Sequence, residues 1–179
     1  GLGDVYKRQD HGFRDRVNLS AVNSINWARL MPQIVYYFSA ALALGAPGRK
    51  VAFSVPTGNF GNVFAGYVAM RMGLPVERLI VASNSNDILT RFFEQGAMQR
   101  DVVTPSLSPS MDIQVSSNFE RLLFELMDRD GVAVAGIMDR FAETGRFELP
   151  DSAMTAAHRH FSAYRLDAVS YTHLTLPTK

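Results

Sequence analysis

Between Val51 and Met72 the chain runs from a short apolar stretch, VAFSV, through Pro56-Thr57-Gly58-Asn59-Phe60-Gly61-Asn62 into a helical stretch closed by Gly73 and Pro75. This segment narrows the fold more than any other. A brief apolar run bounded by turn residues reads as a strand of a parallel sheet, and it predicts one over Val51–Val55. The helix is predicted over Val63–Met72. Leu79–Ala82 repeats the strand signal, and Ser83–Asp87 is a polar turn ahead of a helix over Ile88–Gln95. Strand, glycine loop, helix, strand, polar loop, helix is a βαβα order, which implies an α/β fold with a parallel sheet.

The flanks supply helices. Ile25, Ala28, Met31, Val35, Phe38, Ala41 and Leu42 recur at helical spacing, predicting a helix over Asn23–Leu44. Asn23 or Ser24 would cap it, Pro32 would bend it, and Gly45 and Pro47 would stop it. Its apolar residues cover much of the circumference, so it should pack on more than one neighbour. Val102–Ser117 is rich in Ser and Pro, without helical period, and too long for a passive connection. Helices are expected over Phe119–Met127, over Val132–Glu143 and from Asp151 to Tyr164. Residues 1–9 and 169–179 do not continue the neighbouring patterns and read as non-native segments, leaving 10–168 as the folded unit.

Composition removes several function classes. There is no Cys, which rules out disulfides, thiolate metal sites and a Cys nucleophile. The net charge of +1 gives no reason to expect nucleic acid or an anionic membrane as partner. No run of about 18 apolar residues marks a transmembrane helix. A cytoplasmic location is expected.

The loop carries the chemistry. It lies where open α/β sheets bind ligands, beyond the carboxyl ends of the strands. Gly58 and Gly61 are expected to turn the backbone with positive φ and to let it approach a ligand closely. Free N–H groups at the start of the next helix, with the helix dipole, favour a phosphate. Thr57, Asn59 and Asn62 add polar groups. With no Lys or Arg in the loop, backbone amides and dipoles would hold the anion. The pattern is neither a P-loop nor a G-x-G-x-x-G fingerprint. On spacing alone, a tight turn without a ligand fits equally well.

Four motifs go further together. Asn23-Ser24-Ile25-Asn26-Trp27, SVPTGNFGN (Ser54–Asn62), SNDIL (Ser85–Leu89) and SPSMDIQVSSNFERLLF (Ser108–Phe124) resemble the threonine synthases in order and spacing, over about Asp10 to Asp167. The resemblance implies a fold-type II pyridoxal-phosphate (PLP) enzyme of tryptophan synthase β-like architecture. Its parallel sheet would carry helices on both faces and would here be incomplete. It also implies the chemistry of a carbon–oxygen lyase: O-phospho-L-homoserine and water become L-threonine and phosphate, with PLP as cofactor. The PLP phosphate would then rest on Thr57, Gly58, Asn59, Phe60, Gly61 and Asn62. Ser24, Asn26 and Asp112 would be candidate substrate contacts, with helix capping as the competing role at the chain's first helix. Asn84, Asn86 and Asp87 could face the crevice or cap the helix at Ile88. Asn118 is a further candidate contact. Trp27 and Phe119 read as core, as do Met70, Met72, Met98, Met111 and Met127.

The chain departs from the family in one respect. PLP chemistry needs a Schiff-base Lys. The lysines are Lys7, Lys50 and Lys179, and none stands in a family-like Lys motif. Lys50 should sit at the amino end of the first strand, opposite the glycine loop. The expectation is an internal piece that holds part of a phosphate site and is inactive alone. The alternatives are a dehydratase or cysteine synthase-like PLP enzyme, a non-catalytic threonine synthase-like protein, and a plain phosphate- or nucleotide-binding module. His158 and His160, two apart, point to different sides of a helix and read as solvated surface. No metal site is expected.

Overall fold

The computed structural model describes residues 25–166, together with Gly12 and Arg16. The two segments read as non-native, residues 1–9 and 169–179, lie outside the described residues, and so does Ser24.

Helix α1 spans Trp27–Ala43 and is capped by Asn26, whose Oδ1 accepts the Ala28 N–H at 2.8 Å. The cap is therefore Asn26; Asn23 and Ser24 lie outside the described residues. Gly45, at φ 94°, ends the helix in the left-handed conformation expected of a glycine there. Strand β1 (Val51–Pro56) leads through the loop to helix α2 (Gly61–Arg71), then to strand β2 (Val76–Ser83) and helix α3 (Ile88–Gln95). Strand β3 (Ala97–Gln99) follows, then the irregular stretch with one 3-10 turn at Pro109–Met111, then helix α4 (Phe119–Leu126) and helix α5 (Gly131–Thr144). Strand β4 (Arg146–Glu148), helix α6 (Asp151–His158) and strand β5 (Phe161–Arg165) complete the order.

β1, β2 and β5 form a parallel sheet in that order, while β3 and β4 pair antiparallel. The helix expected to run to Tyr164 instead stops at His158, and Phe161–Arg165 pairs with Leu79–Ser83. Phe161 and Ala163 turn to the core while Tyr164 is exposed, which is a period of two. Five residues are too few for that period to stand out beside a helix, and the pairing partner lies some eighty residues upstream.

The strand order steps one way across the sheet, so successive right-handed crossovers place their helices on the same face. The contacts agree. Leu79 and Phe161 are register partners; Leu79 packs beside Gly66 of α2, and the Phe161 ring lies 5.7 Å from Tyr67 of α2 and 5.6 Å from Phe93 of α3. Helices α2 and α3 thus lie on this face, and Ala52 and Ser54 of β1 point to the other and are exposed. The α/β class with a parallel sheet stands as the sequence implied.

Beneath the loop lies an aromatic core. Phe60 sits 5.2 Å from Phe119 and 5.8 Å from Phe161, and Phe92 lies 4.7 Å from Phe119, all centroid to centroid. Trp27, read as core, is half exposed, with the Arg121 guanidinium 4.7 Å over its ring. Met72 is exposed rather than core, whereas Met98 is buried. The histidines are not simply solvated. His158 Nε2 lies 2.7 Å from the Phe93 carbonyl, and the half-buried His160 ring packs against Tyr67. Among the described residues no helix is long and apolar enough to cross a membrane.

Candidate functional site

The turn after β1 opens into a crevice of about 200 Å³ lined by Arg29, Leu30 and Gln33 of α1, Pro56–Asn59, Gly61, Asn62, and Ser110 and Met111. Its position is the carboxyl edge of the sheet. The loop is pinned from beneath: the Thr57 N–H donates to the Ala82 carbonyl at 3.1 Å, and Thr57 Oγ1 accepts the Phe60 N–H at 3.0 Å. Neither Gly58 nor Gly61 has positive φ. That conformation falls on Phe60, at φ 60°, which is the N-cap of α2. Position 58 is crowded for a different reason: a Cβ there would lie 3.0 Å from the Ile113 side chain and 3.3 Å from Met111 Cα.

Phe60 is thus corrected as a site residue. Its side chain is fully buried among Phe93, Phe119 and Phe161, and its N–H is already taken by Thr57. Burial of a whole aromatic ring outweighs the cost of left-handed backbone, about 1–2 kcal/mol. The neighbouring amides are free. Among the described residues nothing accepts a hydrogen bond from the backbone N–H of Gly58, Asn59, Gly61 or Asn62, and all four residues line the crevice. Gly61 and Asn62 open α2, so the helix's positive end adds to the field there.

Groups far along the chain shape this turn. Ser116 donates to the Gly58 carbonyl at 2.8 Å, Ser117 to Asn59 Oδ1 at 3.2 Å, and Asn118 through both N and Nδ2 to the Asn59 carbonyl at 3.1 Å. On the α1 side, the Tyr37 hydroxyl donates to Asn62 Oδ1 at 2.6 Å and lies 2.8 Å from the Asn62 carbonyl. Burial pushes the Tyr37 phenol well above its ordinary 10.0, so it remains a donor. Arg29 and Gln33 were not singled out from sequence. They stand one helical turn apart on α1, and Gln33 Oε1 is buried without a partner among the described residues. Arg29 brings a guanidinium to the same crevice as the loop's backbone amides. Free amides, a hydroxyl and a guanidinium around one crevice are a donor set suited to a phosphate group.

The same chain pattern occurs in proteins of known kind. Over 154 residues the chain is 60% identical to a threonine synthase of Pseudomonas aeruginosa, a match covering 86% of this chain and 33% of the relative. A crystal structure of PLP-bound threonine synthase from Brucella melitensis superposes with a TM-score of 0.86 at 57% identity, over 90% of this chain and 35% of that one. The chain is a homologue of the threonine synthases. The yeast threonine synthase structure agrees, with a TM-score of 0.84 and 39% identity, over 95% of this chain and 36% of that one. No family model matches the chain. It spans about one third of the length of these threonine synthases.

Within this threonine synthase fold the other expected contacts fall elsewhere. Asn26 caps α1. Asp112 does not line the crevice. Its carboxylate accepts from Asn84 Nδ2 at 2.7 Å, Asn86 Nδ2 at 2.9 Å, the Ser106 N–H at 2.7 Å and the Ser106 hydroxyl at 2.6 Å. Asn84 and Asn86 therefore tie the polar turn after β2 to the irregular stretch and neither cap α3 nor reach the crevice. Asp87 is the N-cap residue of α3, but its carboxylate goes to Arg91 at 2.9 Å and Arg165 at 3.3 Å. Lys50 precedes β1, at the end of the sheet away from the crevice.

The Asp112 network has a pH signature. The Ser106 hydroxyl, and secondarily the Ser106 N–H, Asn84 and Asn86, hold its carboxyl below the ordinary 3.8, against an opposing push from partial burial. The folded state then binds fewer protons than the unfolded one, so the contribution is complete above 3.8 and is lost as pH falls below it. Asp112→Ala is expected to lower the melting temperature at neutral pH. Melting both proteins across an acid series should show the gap to wild type narrowing as the pH falls through 3.8 and below.

Proposed function

We propose that this chain forms the phosphate-binding part of a PLP-dependent threonine synthase that converts O-phospho-L-homoserine and water to L-threonine and phosphate in the cytoplasm. One observation carries the reading: four residues whose backbone N–H groups have no acceptor among the described residues line one crevice with Thr57, at the carboxyl edge of a parallel sheet in a threonine synthase fold. Gly58, Asn59, Gly61 and Asn62 would hold the cofactor phosphate by their N–H groups, with Thr57 at the base of the turn. Arg29 would balance negative charge from the α1 side. Bound PLP supplies an electron sink for carbanion character on the substrate. This chain's residues bind and orient, with α1 and the 110–111 segment forming sides of the crevice. The lysine that bonds the cofactor would come from a part of the enzyme that residues 25–166 do not include, and the chain alone would be inactive.

Full-length protein carrying this chain is expected to purify with a visible absorbance band that borohydride bleaches, and to release phosphate from O-phosphohomoserine. Turnover of serine or threonine with no phosphate release would assign it to the dehydratase-like relatives instead. Absence of the band in protein saturated with PLP would leave only a phosphate-binding module.

A further inference from the structure

We propose that Ser116 and Asn118 are positioning residues that set the loop's peptide planes for the cofactor phosphate, Ser116 by turning the Asn59 N–H toward it and Asn118 by locking the next peptide onto Thr57. The inference rests on the reading of this crevice as a PLP site. In a trans peptide the N–H lies opposite the C=O. With the Gly58 carbonyl held by the Ser116 hydroxyl, the Asn59 N–H must point away from Ser116. With the Asn59 carbonyl held twice by Asn118, the Phe60 N–H is turned the other way, onto Thr57 Oγ1. Two carbonyl anchors thus fix the plane of two successive peptides in the turn.

Asn118 gives up its ordinary role to do this. It is the N-cap residue of α4, where an Asn normally accepts an N–H of its own helix, yet its side chain makes no capping bond. Its Nδ2 faces Asn59 instead, and its Oδ1 is buried without a partner among the described residues. Exchanging the amide's oxygen and nitrogen would set oxygen against the Asn59 carbonyl, so this orientation is the one the bond requires. A fully buried amide that forgoes its helix and leaves an oxygen unsatisfied is retained for the shape of the loop it grips. Ser116, also buried, leaves the Gly58 carbonyl without a donor if truncated.

The test uses full-length protein and three readouts: PLP affinity, the phosphorus NMR resonance of bound PLP, and the melting temperature without cofactor. Ser116→Ala is expected to weaken PLP about tenfold, near 1.4 kcal/mol, and to shift the phosphorus resonance. The cofactor-free melting temperature should stay within about 4 °C of wild type. Ser116→Thr, which keeps the hydroxyl, should restore both affinity and resonance. Asn118→Ala should act in the same direction; if it does not fold, the Ser116 pair decides. Ser116→Ala that binds PLP like wild type with an unchanged resonance overturns the proposal. So does Ser116→Ala that only lowers the cofactor-free melting temperature. Wild-type protein that takes up no PLP defeats the cofactor reading itself, and this proposal with it.

Discussion

Phe60→Ala is expected to remove about 3–5 kcal/mol of stability, the usual cost of truncating a fully buried Phe. The ring touches Phe93, Phe119 and Phe161, so its loss opens a cavity where α2, α3, α4 and β5 converge. Alanine keeps the left-handed backbone at this position but loses the packing that holds it there. Set against total stabilities of about 5–15 kcal/mol, the loss is large. Urea denaturation of wild type and variant measures it directly. The Phe60 backbone also sets the entry to α2, so PLP binding should fall with stability. Phe60→Leu, which keeps most of the apolar volume, should recover much of both. A Phe60→Ala protein within about 1 kcal/mol of wild type would contradict the core seat assigned to this ring.

The second large effect is expected at Gly66, in the middle of α2. In an exposed helix Gly→Ala stabilises by about 1 kcal/mol. Here a Cβ would lie 2.6 Å and 2.8 Å from Tyr37 ring atoms and 2.9 Å from Leu79 Cδ2. Both neighbours are themselves packed, Tyr37 against Phe53 at 4.8 Å and Leu79 in the centre of the sheet. Overpacking of this kind costs about 1–3 kcal/mol, and contact at these separations belongs at the upper end. The clash therefore wins, and Gly66→Ala should destabilise by roughly 2 kcal/mol net. Displacing the Tyr37 ring also withdraws its hydroxyl from Asn62, so the crevice loosens along with the helix pair. Thermal melting and PLP titration of the full-length variant check the two parts separately. A stabilised Gly66→Ala protein would mean that α1 does not press on α2 as described.

Much of this was legible in the residues. The βαβα order around the loop, the crevice's place at the carboxyl edge, and helices α1 to α5 all follow from apolar periodicity and from Gly, Pro and Asn punctuation, to within a few residues at their ends. β5 was not legible, because a five-residue strand beside a helix is defined by its partner β2 and not by its own pattern. β3 and β4 are three residues each, and neither carries a pattern without the other. In the site, sequence singled out the loop but gave Phe60 to the ligand. An aromatic between two glycines carries no local sign of which way it turns.

The chemistry of the turn, a stretch of small and amide-bearing residues entering a helix, was written in the sequence alone, because helix starts leave amides unpaired wherever they occur. Which amides stay free, and which way they point, was decided only in three dimensions. Ser116 and Asn118 reach Gly58 and Asn59 across nearly sixty residues of chain, and Tyr37 and Arg29 arrive from a helix that precedes the sheet. Hydrogen bonds and ring packing between distant segments have no period and no spacing to read. They exist only once the sheet has brought its edges together.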